Sequence, residues 1–110
     1  MKTLDEVTKT LGFEILTGED LAERPVESGY ACDMLSWVMA HAKPTDIWMT
    51  ILNSINVVAV AVLTECACVL LTENVELPDD VAARARDKEI IILRTPLSTY
   101  EACARLAAFL

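Results

Sequence analysis

Cys66 and Cys68 stand one residue apart in an apolar stretch, and Cys32 and Cys103 bring the thiols to four. Thiolates bind soft metals, and a structural zinc site takes four ligands, so the set is worth weighing as a metal or redox module. If the segment is a strand, positions i and i+2 put the thiols of Cys66 and Cys68 on one side. Small buried hydrophobes fill the same role without chemistry, and the sequence favours that reading. His41 is the only histidine, so no multi-histidine site exists. Paired with a cysteine it would form a nucleophile couple, but it falls where a helix is expected to end, as a capping or surface residue. Trp37 and Trp48 are able to stack on a base, yet one falls in an expected helix and one in an expected strand, as core or interface aromatics do. Phosphate chemistry lacks its loops. The glycines are Gly12, Gly18 and Gly29, and none precedes a lysine. Both the Gly-x-x-x-x-Gly-Lys-Ser/Thr cradle and the Gly-x-Gly-x-x-Gly dinucleotide turn are therefore missing.

The elements that must position these residues follow from period and punctuation. Leu4, Val7 and Leu11 recur at helical spacing before Gly12, which stops a short amphipathic helix. Phe13–Leu16 reads as a strand closed by Thr17 and Gly18, with a loop over Glu19–Pro25 and a second strand over Val26–Ala31. Asp33 is placed to cap a helix that ends near His41 and Lys43, before Pro44. Asp46–Leu52 is a third strand. Asn53–Asn56 is a turn, with Ser54 or Asn56 capping a helix over Val57–Leu63. Ala67–Leu71, apolar on both faces, is a strand of a buried parallel sheet. Pro78 opens a helix to about Arg86, with Asp79 and Asp80 at its positive end. Glu89–Leu93 is a fifth strand, and Pro96–Ser98 starts a last helix. Strand–helix alternation from Val26 onward implies βαβ units with right-handed crossovers and a mainly parallel five-stranded sheet covered by helices, a three-layer α/β/α domain. One single domain over residues 1–110 is expected.

Val57, Val58, Val60, Ala61 and Val62 leave the Val57–Leu63 helix without a clear polar face. A helix that is apolar all round must be covered all round. The expected second cover is another subunit, which makes the chain a homodimer with those five residues at its interface; the alternative is that the helix is central in one monomer.

Composition bounds the rest. The 110 residues carry 9 Lys/Arg and 17 Asp/Glu, a net charge of −8, with 54% apolar residues. Intrinsic disorder is excluded by that hydrophobicity. Nucleic-acid binding is disfavoured, because phosphate recognition needs a basic face. The start lacks an apolar signal region, and no apolar run reaches the ~20 residues of a membrane span. A cytoplasmic protein with free thiols is the expectation.

A resemblance sharpens this reading. Ser28–Lys43, Asp46–Ile51, Asn56–Ala61, Leu71–Glu76 and Leu97–Glu101 resemble small stand-alone DRTGG-domain proteins, over essentially the whole chain. Similar domains form the N-terminal part of HPr kinase/phosphorylase and occur beside CBS domains in some pyrophosphatases. The resemblance implies a three-layer domain related to the N-terminal domains of Mur ligases. The family's Gly-Asp-Arg segment aligns with Thr45-Asp46-Ile47, so the Arg is lost. Its Thr-Gly-Gly segment aligns with Thr72-Glu73-Asn74, so both glycines are lost. Both departures remove anion-friendly features. Genes for similar proteins lie near iron-only hydrogenase subunits and sensor-kinase-like ATPases, which implies a partner in a kinase-like or hydrogenase-associated system.

Ligands of open α/β sheets sit outside the carboxyl ends of the strands. That rim is expected to carry Asp33, Asn53, Ser54, Asn56, Thr72, Glu73, Asn74, Thr95 and Ser98, with Asn53, Ser54 and Asn56 at a helix N-terminus that favours an anion. The same residues serve equally as caps and turns. The expected function is a non-catalytic regulatory or ligand-sensing homodimer acting through a partner protein, responsive to a nucleotide or anion, with no cofactor and no metal. The alternatives are a phosphotransfer component of the HPr serine kinase kind and the cysteine module.

Overall fold

Helix α1 (Leu4–Leu11) begins where Thr3 accepts from the Glu6 backbone and Glu6 reaches back to the Thr3 N–H, a reciprocal cap written as Thr-x-x-Glu in the sequence. Gly12 ends it in the left-handed region at φ 74°. The computed structural model describes residues 1–21 and 23–110; Ala22, inside the expected loop, lies outside the described residues.

Ahead of α1, strand β1 (Lys2–Thr3) pairs antiparallel with β3 (Pro25–Val26). The main sheet has five strands in the order β2 (Glu14–Thr17), β7 (Ile92–Arg94), β6 (Cys68–Leu71), β5 (Asp46–Thr50) and β4 (Ser28–Ala31). Strands β4 to β7 are parallel and β2 closes one edge antiparallel. Between them run α2 (Leu35–His41), α3 (Ile55–Thr64) and α4 (Asp79–Asp87), and α5 (Thr99–Phe109) ends the chain.

The sheet divides two apolar layers. Val7, Phe13, Ile47, Leu70, Leu93 and Leu106 belong to the layer under α1 and α5. Val38, Trp48, Val57, Val69, Val81 and Ile92 belong to the layer under α2, α3 and α4. Successive residues of β5 to β7 enter opposite layers, because side chains alternate across a strand. This is the three-layer α/β/α domain with a mainly parallel five-stranded sheet that the alternation implied.

Three expectations change. Val26–Ala31 is two strands in two sheets, because Val26 pairs with Lys2 while Ser28 pairs with Asp46. The last parallel strand starts at Ile92 rather than Glu89, which takes a left-handed φ of 56°. Asp33 does not cap α2: Met34 holds that position with no side-chain cap, and the Asp33 carboxylate is engaged elsewhere.

The dimer residues are also corrected. Val57, Val58, Val60 and Ala61 are all buried within the monomer. Helix α3 turns them onto its own sheet and flanks, so its first cover uses the residues assigned to a second. Only Val62 of the five is exposed, and the outer face of α3 is formed by Ile55, Ala59, Val62 and Leu63.

Candidate functional site

Helices α2, α3 and α4 all leave the carboxyl ends of their strands toward one face, whereas α5 leaves β7 toward the other. Neighbouring strands β6 and β7 therefore send their connections to opposite faces, the arrangement that opens a crevice in α/β sheets. Thr72, Glu73 and Asn74 follow β6, and Thr95 and Ser98 follow β7. The structure brings these five expected residues together.

Their own hydrogen bonds tie the two loops together. Glu73 N donates to Leu97 O at 2.8 Å and Asn74 N to Thr95 O at 3.0 Å. The hydroxyls of Thr72 and Thr99 lie 2.6 Å apart. The Glu73 carboxylate accepts from Thr99 N at 3.1 Å, at the amino end of α5. That is where a helix favours negative charge, and a side chain of the protein supplies it. Ser98 caps α5 by accepting from Glu101 N at 3.1 Å. Thr95 is buried, and its hydroxyl accepts from Leu97 N.

Glu73 and Asn74 have φ of 60° and 57°. The left-handed region is the conformation glycine adopts freely. These are the two positions that the resemblance sets against the family's glycines; here they are Glu and Asn in a glycine-type conformation, and both are exposed.

The other half of the rim is ordered by Asp33. One of its oxygens accepts from the Thr50 hydroxyl at 2.7 Å and from Ile51 N at 3.1 Å. Thr50 in turn accepts from Leu52 N at 3.1 Å. Asn53 donates to Glu76 O at 2.9 Å, tying the turn after β5 to the loop after β6. Ser54 stands at the N-cap position of α3 without a side-chain cap, and Ser54 and Asn56 are exposed. Sequence reasoning missed Thr50 and Thr99, which connect these groups. Their signal was a hydroxyl at the last position of an apolar strand and one directly after a capping serine.

Asp46 sits at the opposite, amino end of the sheet. It is buried, and its carboxylate accepts from Lys43 N at 2.8 Å, closing the turn between α2 and β5.

The cysteines do not converge. Cys66 precedes β6 and lies in the layer under α3, whereas Cys68 lies in the layer under α5, so the expected same-side pair is split by the sheet. Among the described residues no group of three or more His, Cys, Asp or Glu is placed to hold a metal ion. Burial pushes the Cys66 thiol up and the Cys68 thiol well up, and to the same cause Cys103 owes a raised value. A raised thiol is a poor nucleophile near neutral pH. His41 does sit at a helix end, with Nδ1 2.9 Å from Trp37 O and its ring 4.4 Å from that of Trp37. Trp48 is buried and donates to Cys32 O at 2.9 Å, while Trp37 is 54% exposed.

The class this defines is a three-layer α/β/α domain whose strand-end loops are tied together by their own hydrogen bonds. The DRTGG domain matches residues 6–109, and the chain belongs to that family. A similar solved structure is that of the CBS and DRTGG domains of the regulatory region of Clostridium perfringens pyrophosphatase, complexed with its activator diadenosine tetraphosphate. The TM-score is 0.70 at 16% identity, with 94% of this chain and 45% of that chain covered. The chain thus spans less than half of that structure's length. No curated protein matches the chain. Among the described residues no helix is long and apolar enough to cross a membrane.

Proposed function

We propose that this chain is a non-catalytic regulatory domain whose output passes through protein contact. The observation that supports it is the rim: Glu73, Asp33 and Asn53 each hold neighbouring segments together by hydrogen bonds. A DRTGG domain built this way positions surfaces. Its partner belongs to a larger regulatory system of the kinase-like or hydrogenase-associated kind that the resemblance implied.

A second reading makes the domain responsive to a nucleotide or anion. It is favoured by the pyrophosphatase regulatory region, which shares the fold and whose structure holds diadenosine tetraphosphate. Ser54 and Asn56 at the start of α3, and Asn74 after β6, are exposed rim groups placed to meet such a ligand.

Thermal unfolding with ATP, diadenosine tetraphosphate and inorganic phosphate tests both readings. A ligand at a hundred times its dissociation constant adds about 2.7 kcal/mol, and each kcal/mol raises the midpoint by roughly 4–8 °C in a domain of this size. A rise lost in Ser54→Ala or Asn56→Ala supports the responsive form. Turnover of ATP, or phosphate transfer to a protein, overturns the non-catalytic reading.

A further inference from the structure

Helices α2 and α3 lie side by side in one outer layer, and neither contains an Asp, Glu, Lys or Arg. Their outer surface is also strongly apolar. Leu63 is 69% exposed, Met34 61% and Trp37 54%. Ile55, Ala59 and Val62 continue it along α3 into a groove of about 480 Å³ bordered by Arg84 and Lys88 of α4. Large exposed apolar side chains grouped on one layer in this way mark an interaction site.

We infer that this face is covered by a second copy of the chain, two-fold related, with α3 packed antiparallel on α3. Two charge properties single out that occupant. A chain of net charge −8 repels its own copy wherever charged surfaces meet, and the uncharged α2–α3 face is where two copies meet without that opposition. Helix α4, beside α3, is polarised: Asp79 and Asp80 stand in its first turn, Arg84 and Arg86 in its last, and Lys88 follows. Among the described residues Arg84 and Lys88 form no salt bridge. A two-fold axis lying in the interface and perpendicular to α3 sets α4 over its copy in the opposite direction. The acidic start of each α4 then faces the basic end of the other. Such an interface is isologous, as in most closed dimers.

The interface therefore uses Val62 from the set expected on sequence grounds, and it replaces the inward valines with Trp37, Met34 and Leu63. It deepens the contact-based regulatory reading by making a dimer of this chain the unit that meets the partner, and it rests on that reading; the two fail separately, since a mass measurement says nothing of ligand or turnover.

Light scattering on the 110-residue protein at about 50 μM is the test, a concentration at which a standard-size interface of ordinary quality is occupied. The expected mass is twice 12.1 kDa. Leu63→Glu replaces the most exposed apolar side chain of the face with a charged one and is expected to weaken association about 30-fold or more. Tyr100→Glu, at a residue 83% exposed on α5 across the sheet, is expected to leave the dimer intact. Lys88→Glu is expected to weaken the dimer and Lys88→Glu with Asp80→Lys to restore it. Acrylamide quenching reads the same event, because Trp48 is buried and the quenchable signal belongs to Trp37; quenching falls as the wild-type protein is concentrated and stays constant in Leu63→Glu. Circular dichroism checks that each variant is folded. A wild-type mass of 12.1 kDa, or equal loss of association in Tyr100→Glu and Leu63→Glu, overturns the inference.

Discussion

Position 73 separates the two roles assigned to Glu73, a carboxylate at the start of α5 and a side chain held in a glycine conformation. Glu73→Ala removes the acceptor of Thr99 N and the charge beside the helix end, while the backbone keeps its φ of 60°. Loss of a helix-end acceptor costs about 1 kcal/mol and loss of the charge about 0.3–1, so the expected fall is about 1–2 kcal/mol, or roughly 4–16 °C in the unfolding midpoint. Glu73→Gly loses the same two interactions but escapes the ~1–2 kcal/mol that an L-residue incurs in the left-handed region. Against this stands about 0.4–1 kcal/mol of unfolded-chain entropy. Glycine should therefore be more stable than alanine here, by about 0.5–1 kcal/mol, the reverse of their order in ordinary helix or strand positions. Thermal and urea unfolding followed by circular dichroism measure the series. A glycine variant less stable than the alanine variant would refute the account of the loop. Both variants also free Thr99 N, so phosphate should raise their midpoints more than that of the wild type. An equal response in all three proteins would mean that the carboxylate does not hold the anion position.

Thr17 is buried, donating to Ile90 O at 2.8 Å and accepting from Ile92 N at 2.9 Å. Thr17→Val orphans both backbone groups and should cost about 2–4 kcal/mol by denaturant unfolding, whereas Thr17→Ser, which keeps the hydroxyl, should cost about 1. Burial raises the Cys66 and Cys68 thiols, so their thiolates form only above the usual range. With a disulfide reagent near pH 8, Cys32 should react first and Cys66 and Cys68 only on unfolding. Fast native labelling of Cys68, read by peptide mass, would contradict its burial. Gly18→Ala should cost more than Gly29→Ala in unfolding midpoint. A Cβ at Gly18 meets the Ile91 backbone at 3.1 Å and has φ 83°, while one at Gly29 meets the movable side-chain ends of Met49 and Leu106.

The rim shows how far the residues alone reach. Ser98 as a cap and the gathering of Thr72, Glu73, Asn74 and Thr95 at one edge were legible, because strand ends and helix starts carry local signals. That Glu73 would turn back onto Thr99 was not legible, since 26 residues separate them and only the β6–β7 pairing closes the distance. Asp33 looked like a cap because capping is the local use of an aspartate before a helix. Thr50, at the end of the adjacent strand, offers it a nonlocal partner. The β1–β3 pair was likewise invisible, as two-residue strands have no period to read.

Helix α3 marks the same boundary. Its sequence fixes that it is a helix and that it is apolar almost throughout, since Ser54 starts it and no charged side chain interrupts it. Which valines face inward depends on the rotation of the helix against the sheet, set by packing with Trp48 and Val69 in the shared layer. The strand–helix alternation, the mainly parallel sheet and the acidic character of the chain were properties of the sequence, because period, punctuation and charge are local or additive. Three features belonged to the tertiary structure alone: the side of the sheet each cysteine occupies, the partner of each rim carboxylate, and the apolar face left bare. Each depends on which distant strands become neighbours, and that is settled only when the two layers close on the sheet.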